Sequence, residues 1–304
     1  MHMKNEHFPG LYQAADRASL SAQRVNILLH RMYLGSLVLG SVVGASTSIA
    51  TGSLTPYLHT AIAIILALGL LILWITRARR DDKVWFDCRA IAESTKTATW
   101  RFMMVAPPFL EDNLIEERFI SELREIREAR PDSSNDIAGQ IDANSSAITS
   151  FMKEMRARSF EERKAFYVEF RVRDQKKWYS NKGKMNSRSG TRWFWMTAML
   201  QGLAVAIAVI EASSGGIQIN VVPVLMTCAA AIVAWNQMKR YSELAQSYAL
   251  AAQELEELNS IADSLTDEGK FPQLVEQVEE AISREHTMWC ARRDVHLKVS
   301  SGPK

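Results

Sequence analysis

Few side chains in this sequence are placed to do chemistry, and those that are sit in apolar company. Thr197 and Gln201 lie one helical turn apart inside a run, Trp193 to Met238, whose only charged residue is Glu211. A carboxamide has N–H donors and an acceptor oxygen, so Gln201 in such a setting must face another helix or water. Glu211 falls just before Ser213-Ser214-Gly215-Gly216, at the outer end of its arm. Repeated around a symmetric assembly, that carboxylate would make an acidic ring that attracts cations. Ser36, Gly40, Gly44 and Ser48 recur at every fourth position of another uncharged run and share one helix face. Two readings of that stripe stand: close packing of a neighbouring backbone, or a narrow polar pore lining in an oligomer. Thr227, between Pro223 and the small run Ala229-Ala230-Ala231, places a further hydroxyl in the last apolar arm.

Catalytic and metal-binding patterns are missing. Cys88, Cys228 and Cys290 are far apart and make neither a disulfide framework nor a zinc spacing. The six histidines are equally scattered, and His286 with Cys290 falls short of the ligand count zinc requires. There is no Gly-rich phosphate loop after a strand, no Gly-x-Ser-x-Gly and no HExxH. The adjacent carboxylates Glu116-Glu117 and Glu161-Glu162 lie on charged helical patterns, where a solvated face is the ordinary explanation. Neither an enzyme nor a cofactor nor a metal is expected.

The elements that must position these residues are apolar hairpins. Met32 to Thr76 contains no Asp, Glu, Lys or Arg and is cut once, by Thr51-Gly52-Ser53-Leu54-Thr55-Pro56. Each arm is about 20 residues, the length an α-helix needs to cross a hydrocarbon core of about 30 Å. Trp193 to Met238 repeats the plan, so spans are expected near 32–52, 56–76, 193–212 and 217–238. Arg24 and Arg31 precede the first hairpin and Arg77, Arg79, Arg80 and Lys83 follow it. Lys182, Lys184, Arg188 and Arg192 precede the second, and Lys239 and Arg240 follow it. Neither turn carries Lys or Arg, so by the positive-inside rule the turns lie outside and both termini and the soluble bulk are cytoplasmic. Hydrophobic residues are 47% of 304, charged residues 23%, and the net charge is only +2, so the charges are segregated from the spans. The bases cluster where anionic headgroups would lie, and no nucleic-acid polymer is expected as a partner. A polar, helix-prone segment with no small-residue cleavage site precedes the first span, so no removable signal peptide is expected.

Outside the spans the periodicity is helical, and no stretch alternates with period two, so the fold class is all-α. Leu11 to His30 reads as a helix leading into the first span. Val84, Cys88, Ile91, Thr95, Ala98 and Phe102 form a heptad-like seam, predicting that the second span continues as a coiled-coil-like rod until Pro107-Pro108. A charged helix is predicted from near Glu111 or Asp112 to Arg130, and Pro131-Asp132-Ser133-Ser134-Asn135-Asp136 is the best loop, within a linker at 131–144 between units at 8–130 and 145–297. Ser159-Phe160-Glu161-Glu162 has the spacing of a capping box and should start a fresh helix. Its face with Arg171, Asp174, Gln175, Trp178 and Tyr179 is either a nucleotide or partner site or a packing surface near the headgroups. Tyr241, Ala245, Tyr248, Ala252 and Leu255 predict a second rod leaving the fourth span, ended by Gly269 and Pro272, and Phe271 to Trp289 gives a last amphipathic helix.

Several phrases resemble the SLATT domains of bacteria. They are Met155-Arg156-Ala157-Arg158, Tyr167, Arg171, Asp174-Gln175 and Trp178-Tyr179 ahead of a hairpin, then Tyr248, Glu254-Leu255, Glu279, Glu285-His286 and Trp289 after it. Trp85 to Lys96, including Arg89 and Glu93, followed by Trp100, resembles the same pattern after the first hairpin. The resemblance covers nearly the whole chain as a tandem pair. It implies a membrane effector of bacterial conflict and nucleotide-second-messenger systems in the inner membrane, assembling as a homo-oligomer into a pore that arrests or kills the cell. It also implies a trigger, either a nucleotide second messenger or a separate sensor protein. On that resemblance Arg89, Glu93, Arg171, Asp174, Gln175, Trp178, Tyr179, Tyr248, Glu285 and Trp289 are the expected regulatory or partner face. Two classes of function remain open. In one, rod repacking opens a water-filled path through the spans. In the other, the chain is a non-conducting anchor for a signalling partner, a reading compatible with the lack of charge deep in any span.

Overall fold

A computed structural model describes residues 3–51, 53–110, 113–214 and 220–283. All regular structure among them is helical. The helices are α1 Gly10–Ser46, α2 Leu54–Arg79, α3 Asp81–Met103, α4 Ile115–Glu128, α5 Ser134–Ala138, α6 Ser150–Arg156, α7 Phe160–Tyr167, α8 Asp174–Ser214, α9 Val222–Lys239 and α10 Tyr241–Ser264. A further helix, α11, occupies residues 271–283. The chain divides into two units. A polar unit is built from the chain up to Gln23, Asp82–Gly183 and the described chain from Gln246, and an apolar unit from Arg24–Asp81 and Lys184–Ala245.

The polar unit closes around a continuous core. Amphipathic faces of α3, α4, α6, α7, α10 and α11 bury Ile91, Trp100, Phe102, Phe119, Met152, Phe166, Leu255, Phe271, Val275 and Val278. Phe102, Phe109 and Phe119 meet with ring centroids 4.8–6.1 Å apart, the tilted and edge-on arrangement that aromatic quadrupoles favour. Ser159 forms the predicted capping box: its hydroxyl accepts from the Glu162 N–H at 3.4 Å, and its own N–H donates to Glu162 Oε2 at 3.2 Å. The polar run at Pro131 is not a loop throughout. Pro131–Ser133 is a 3-10 turn leading into α5, whose Ile137 is buried in the core, and the charged α4 ends at Glu128. Residues 139–149 form turns and irregular chain before α6.

In the apolar unit, large side chains are uncovered: Leu70 and Trp74 are 67% exposed and Met199 is 69% exposed. Three helical stretches, Gly10–Ser46, the one beginning at Leu54 and Phe160–Ser213, are long and apolar enough to cross a membrane. The fourth arm, α9, is an 18-residue helix beginning with Pro223 in its first turn, where a missing N–H costs nothing. Small residues set the closest approaches. A Cβ on Gly69 would lie 2.6 Å from Ser36 Oγ, and one on Gly40 would lie 3.7 Å from the Ile65 and Leu66 side chains, so each glycine lets a side chain of the facing helix seat against its backbone.

The unbroken rods predicted after the second and fourth arms are interrupted. Arg80, between α2 and α3, has φ 53°, and Arg240, between α9 and α10, has φ 49°, both left-handed. Their N–H groups still bond Thr76 O at 3.4 Å and Asn236 O at 2.9 Å, closing each helix with a left-handed cap. Local charge compensates for an unfavourable conformation at a non-glycine residue. Arg79 grips Asp81 in two hydrogen bonds of 2.8 and 3.1 Å across the first break, and Arg240 pairs with Glu243 at 3.6 Å beyond the second. Acidic side chains at the start of the following helices also suit their dipoles. Heptad spacing cannot reveal such breaks, because a single left-handed residue preserves the apolar register closely enough to read as one helix.

Candidate functional site

Among its described residues the polar unit holds a deeply buried ionic cluster, and it starts from residue types that helices rarely place inward. On α3, Arg89, Glu93, Thr97 and Trp100 follow one another at helical spacing. Arg89 bonds Glu93 Oε1 at 2.5 Å and Asp16 Oδ1 of α1 at 3.4 Å. After α7 the chain passes through a π-helical turn, Val168–Arg173, and only then resumes as α8. That wider turn carries Arg171, whose side chain is 1% exposed and pairs with Glu279 of α11, itself fully buried. Single π turns inside α-helices are often found at functional positions.

Geometry at Glu279 is dense. Arg171 donates from Nε to Oε1 at 2.8 Å and from Nη2 to Oε2 at 2.5 Å, Tyr167 donates its hydroxyl to Oε1 at 3.0 Å, and Thr97 donates to Oε2 at 2.9 Å. The guanidinium also lies 5.9 Å from the Trp100 ring centroid. The carboxylate thus ties α3, α7 with its π turn, and α11 together. Burial opposes the Arg171 charge, but the Glu279 carboxylate and its hydrogen bonds outweigh it and push the arginine up. Burial, then the same carboxylate, hold the Tyr167 phenol well above its ordinary value. Burial pulls Lys96 down; Glu93 opposes the shift, and Arg171 and Arg89 reinforce it. Arg171 Nη1 and Trp100 Nε1 are buried without a hydrogen-bond partner among the described residues.

A second contact group involves Trp178, Tyr179 and Tyr248. Their ring centroids lie 5.1–5.7 Å apart, joining α8 to α10. Asp174 is exposed and accepts from Gln175 at 3.4 Å, so this pair stands outside the buried cluster. Among the expected regulatory residues, Arg89, Glu93 and Arg171 therefore converge, and the aromatic residues form a separate packing group. Glu285 and Trp289 lie outside the described residues. Glu279, Tyr167 and Thr97 were not expected as site residues. The available signal was Glu279 itself, an acid at helical spacing from Val275 and Ile282 on an otherwise apolar face.

The span candidates separate by how their polar groups are satisfied. Thr197 donates to Trp193 O at 3.0 Å, Thr227 to Pro223 O at 2.8 Å and Ser36 to Tyr33 O at 2.7 Å, so each hydroxyl is served within its own helix. Gly40 packs on α2, whereas a Cβ at Gly44 would meet nothing within 4 Å. Because α1 ends at Ser46, Ser48 leaves the expected one-face stripe; it sits in the following turn and accepts from the Asn220 N–H at 3.4 Å. Glu211 is half-buried in the last turn of α8, and Gln201 is exposed on that helix.

Cys88, fully buried on α3, supplies a pH test of the core. Burial, with the Asp136 carboxylate nearby, pushes its thiol from 9.0 up to about 12. A raised folded value means the unfolded chain releases the proton first. Its contribution to stability is therefore present below pH 9.0 and is lost progressively as pH rises toward about 12. At pH 8 the folded thiolate fraction should be about a thousandfold below that of the unfolded chain, and alkylation followed by mass spectrometry should find Cys88 protected until denaturant is added. Rapid native labelling would contradict the buried site.

Two family models match the chain in tandem. The model described as SMODS and SLOG-associating 2TM effector domain 3 covers residues 9–164, more than half of the 304. The model described as SMODS and SLOG-associating 2TM effector domain 1 covers residues 167–289. Comparison with curated proteins and with solved structures finds no match.

Proposed function

The chain belongs to the SLATT family, as two SMODS and SLOG-associating 2TM effector domains in tandem, and we propose that it is an oligomeric pore-forming effector of a bacterial conflict or nucleotide-signalling system. On this reading the apolar unit spans the inner membrane through four arms, with both termini and the polar unit in the cytoplasm. The observation that carries it is the exposure of the apolar helices: only 6% of each span-length window is buried, which suits lipid and further copies of the chain rather than water. Open small-residue positions at Gly35, Gly44 and Gly202 leave room for close helix approach.

The trigger, a nucleotide second messenger or a separate sensor protein, acts on the polar unit. Repacking around the Arg171–Glu279 pair and the adjoining π turn supplies the two-state element that gating needs. No step is catalytic, and no cofactor takes part. The test is ion flux from dye-loaded liposomes containing the purified protein, with and without cyclic and linear nucleotides. Flux that rises at least about tenfold with one defined signal is expected, a population shift of about 1.4 kcal/mol or more. Silence under every condition, with insertion verified by protease protection, would favour the non-conducting anchor that recruits a partner.

A further inference from the structure

Gln201 is an amide deep in an apolar arm whose hydrogen-bonding needs are unmet among the described residues. Thr197, Thr227, Ser36, Ser41 and Thr76 each return a hydroxyl to a carbonyl three or four residues back. An amide on an α-helix has no comparable local acceptor for two N–H donors. Gln201 has no hydrogen bond among the described residues and is exposed on α8. Arg192 lies nine residues before it and Glu211 ten after it. At 1.5 Å per residue both are roughly 14 Å away, which puts Gln201 near the middle of a hydrocarbon core about 30 Å thick. Lipid tails offer neither donor nor acceptor there.

The surrounding face is shaped for a close neighbour. Successive residues turn by about 100°, so Phe194, Thr197, Ala198, Val205 and Ala208 lie within about 60° of Gln201, and Gly202 lies at the edge of that face, about 100° round. Phe194 and Val205 are 62% and 63% exposed, and a Cβ at Gly202 would meet nothing within 4 Å. The face carries no charge that calls for a partner of opposite sign. Its one polar group without a bond inside its own helix is both donor and acceptor, since the Thr197 hydroxyl beside it already bonds Trp193 O; two copies of the same amide therefore satisfy each other, and the small residues nearby permit the approach.

We infer that the Gln201 face of α8 docks against the same face of a second copy of this chain, the two amides hydrogen-bonding across the interface at mid-membrane. The inference rests on the oligomeric reading above and assigns its contact surface.

Disulfide crosslinking in native membranes tests it, using Gln201→Cys in a background with Cys88, Cys228 and Cys290 replaced by alanine. Leu203→Cys, about 160° away on the same helix, serves as control. Gln201→Cys should give a covalent dimer and Leu203→Cys should not. Energy transfer between labelled copies in liposomes should show association weakened about 3- to 30-fold by Gln201→Leu and restored in part by Gln201→Asn, the range expected for one interhelical hydrogen bond in lipid. An oligomer that persists while Gln201→Cys stays uncrosslinked and reacts with a membrane-impermeant thiol reagent would mean that water lines this face. That outcome overturns the inference and leaves the pore reading standing. Equal crosslinking at Leu203→Cys would also overturn it. A chain that stays monomeric in liposomes would overturn both.

Discussion

Replacing Glu279 with alanine is expected to destabilise the polar unit by about 3–5 kcal/mol, because it leaves the Arg171 guanidinium charged, buried and without its counter-ion. The side chains are 1% and 0% exposed, so solvent cannot take the place of the lost carboxylate. Tyr167 and Thr97 lose their acceptor in the same step. Glu279→Gln keeps the shape and some hydrogen bonds but removes the charge, and should fall between the wild type and Glu279→Ala. The paired replacement Arg171→Met with Glu279→Leu should recover most of the loss, since removing both charges also removes their desolvation cost. Thermal unfolding of the detergent-solubilised protein, followed by near-ultraviolet circular dichroism, reads the series. If Glu279→Ala and the wild type differ by less than about 1 kcal/mol, the pair does not hold α3, α7 and α11 together.

Trp100→Ala should cost about 3–5 kcal/mol by a different route, through lost burial and an unfilled cavity. Trp100 is 1% exposed, with Phe166 and Tyr167 ring centroids 5.8 and 5.7 Å away and the Arg171 guanidinium over its face. It therefore joins the hydrophobic core to the ionic cluster, and its removal should also raise protease sensitivity of α3 and α7. Trp100→Phe retains an aromatic surface and discards the buried indole N–H that lacks a partner, so its cost should be much smaller. Comparable losses in the two variants would mean that the indole nitrogen has an acceptor and that aromatic packing is not the main term. The Glu279 and Trp100 effects should not add, because both variants act on Arg171.

Much of the architecture was legible from one dimension. The absence of charge from Met32 to Thr76 and from almost all of Trp193 to Met238, the capping box at Ser159 and the helical period everywhere else follow from local rules, and local rules survive translation into structure. The tandem SLATT assignment also rested on sequence order, and both family matches carry it. The single left-handed residues Arg80 and Arg240 were not legible, since arginine has no propensity for that conformation and its neighbours continue an apolar helical pattern. Nor was the end of α1 at Ser46, which removed Ser48 from a stripe that spacing alone had drawn as continuous.

By itself the sequence determined the all-helical class, the segregation of charge from apolar arms, the tandem family and the candidate status of Arg171 and Gln201, because composition and period act residue by residue. Tertiary structure alone decided that Arg171 meets Glu279, 108 positions away, and that Thr97 and Tyr167 share the same carboxylate. It likewise decided that no other helix among the described residues brings a partner to the Gln201 amide. The physical reason is that a buried charge or amide is defined by what surrounds it, and partners brought together from distant helices leave no mark on local spacing.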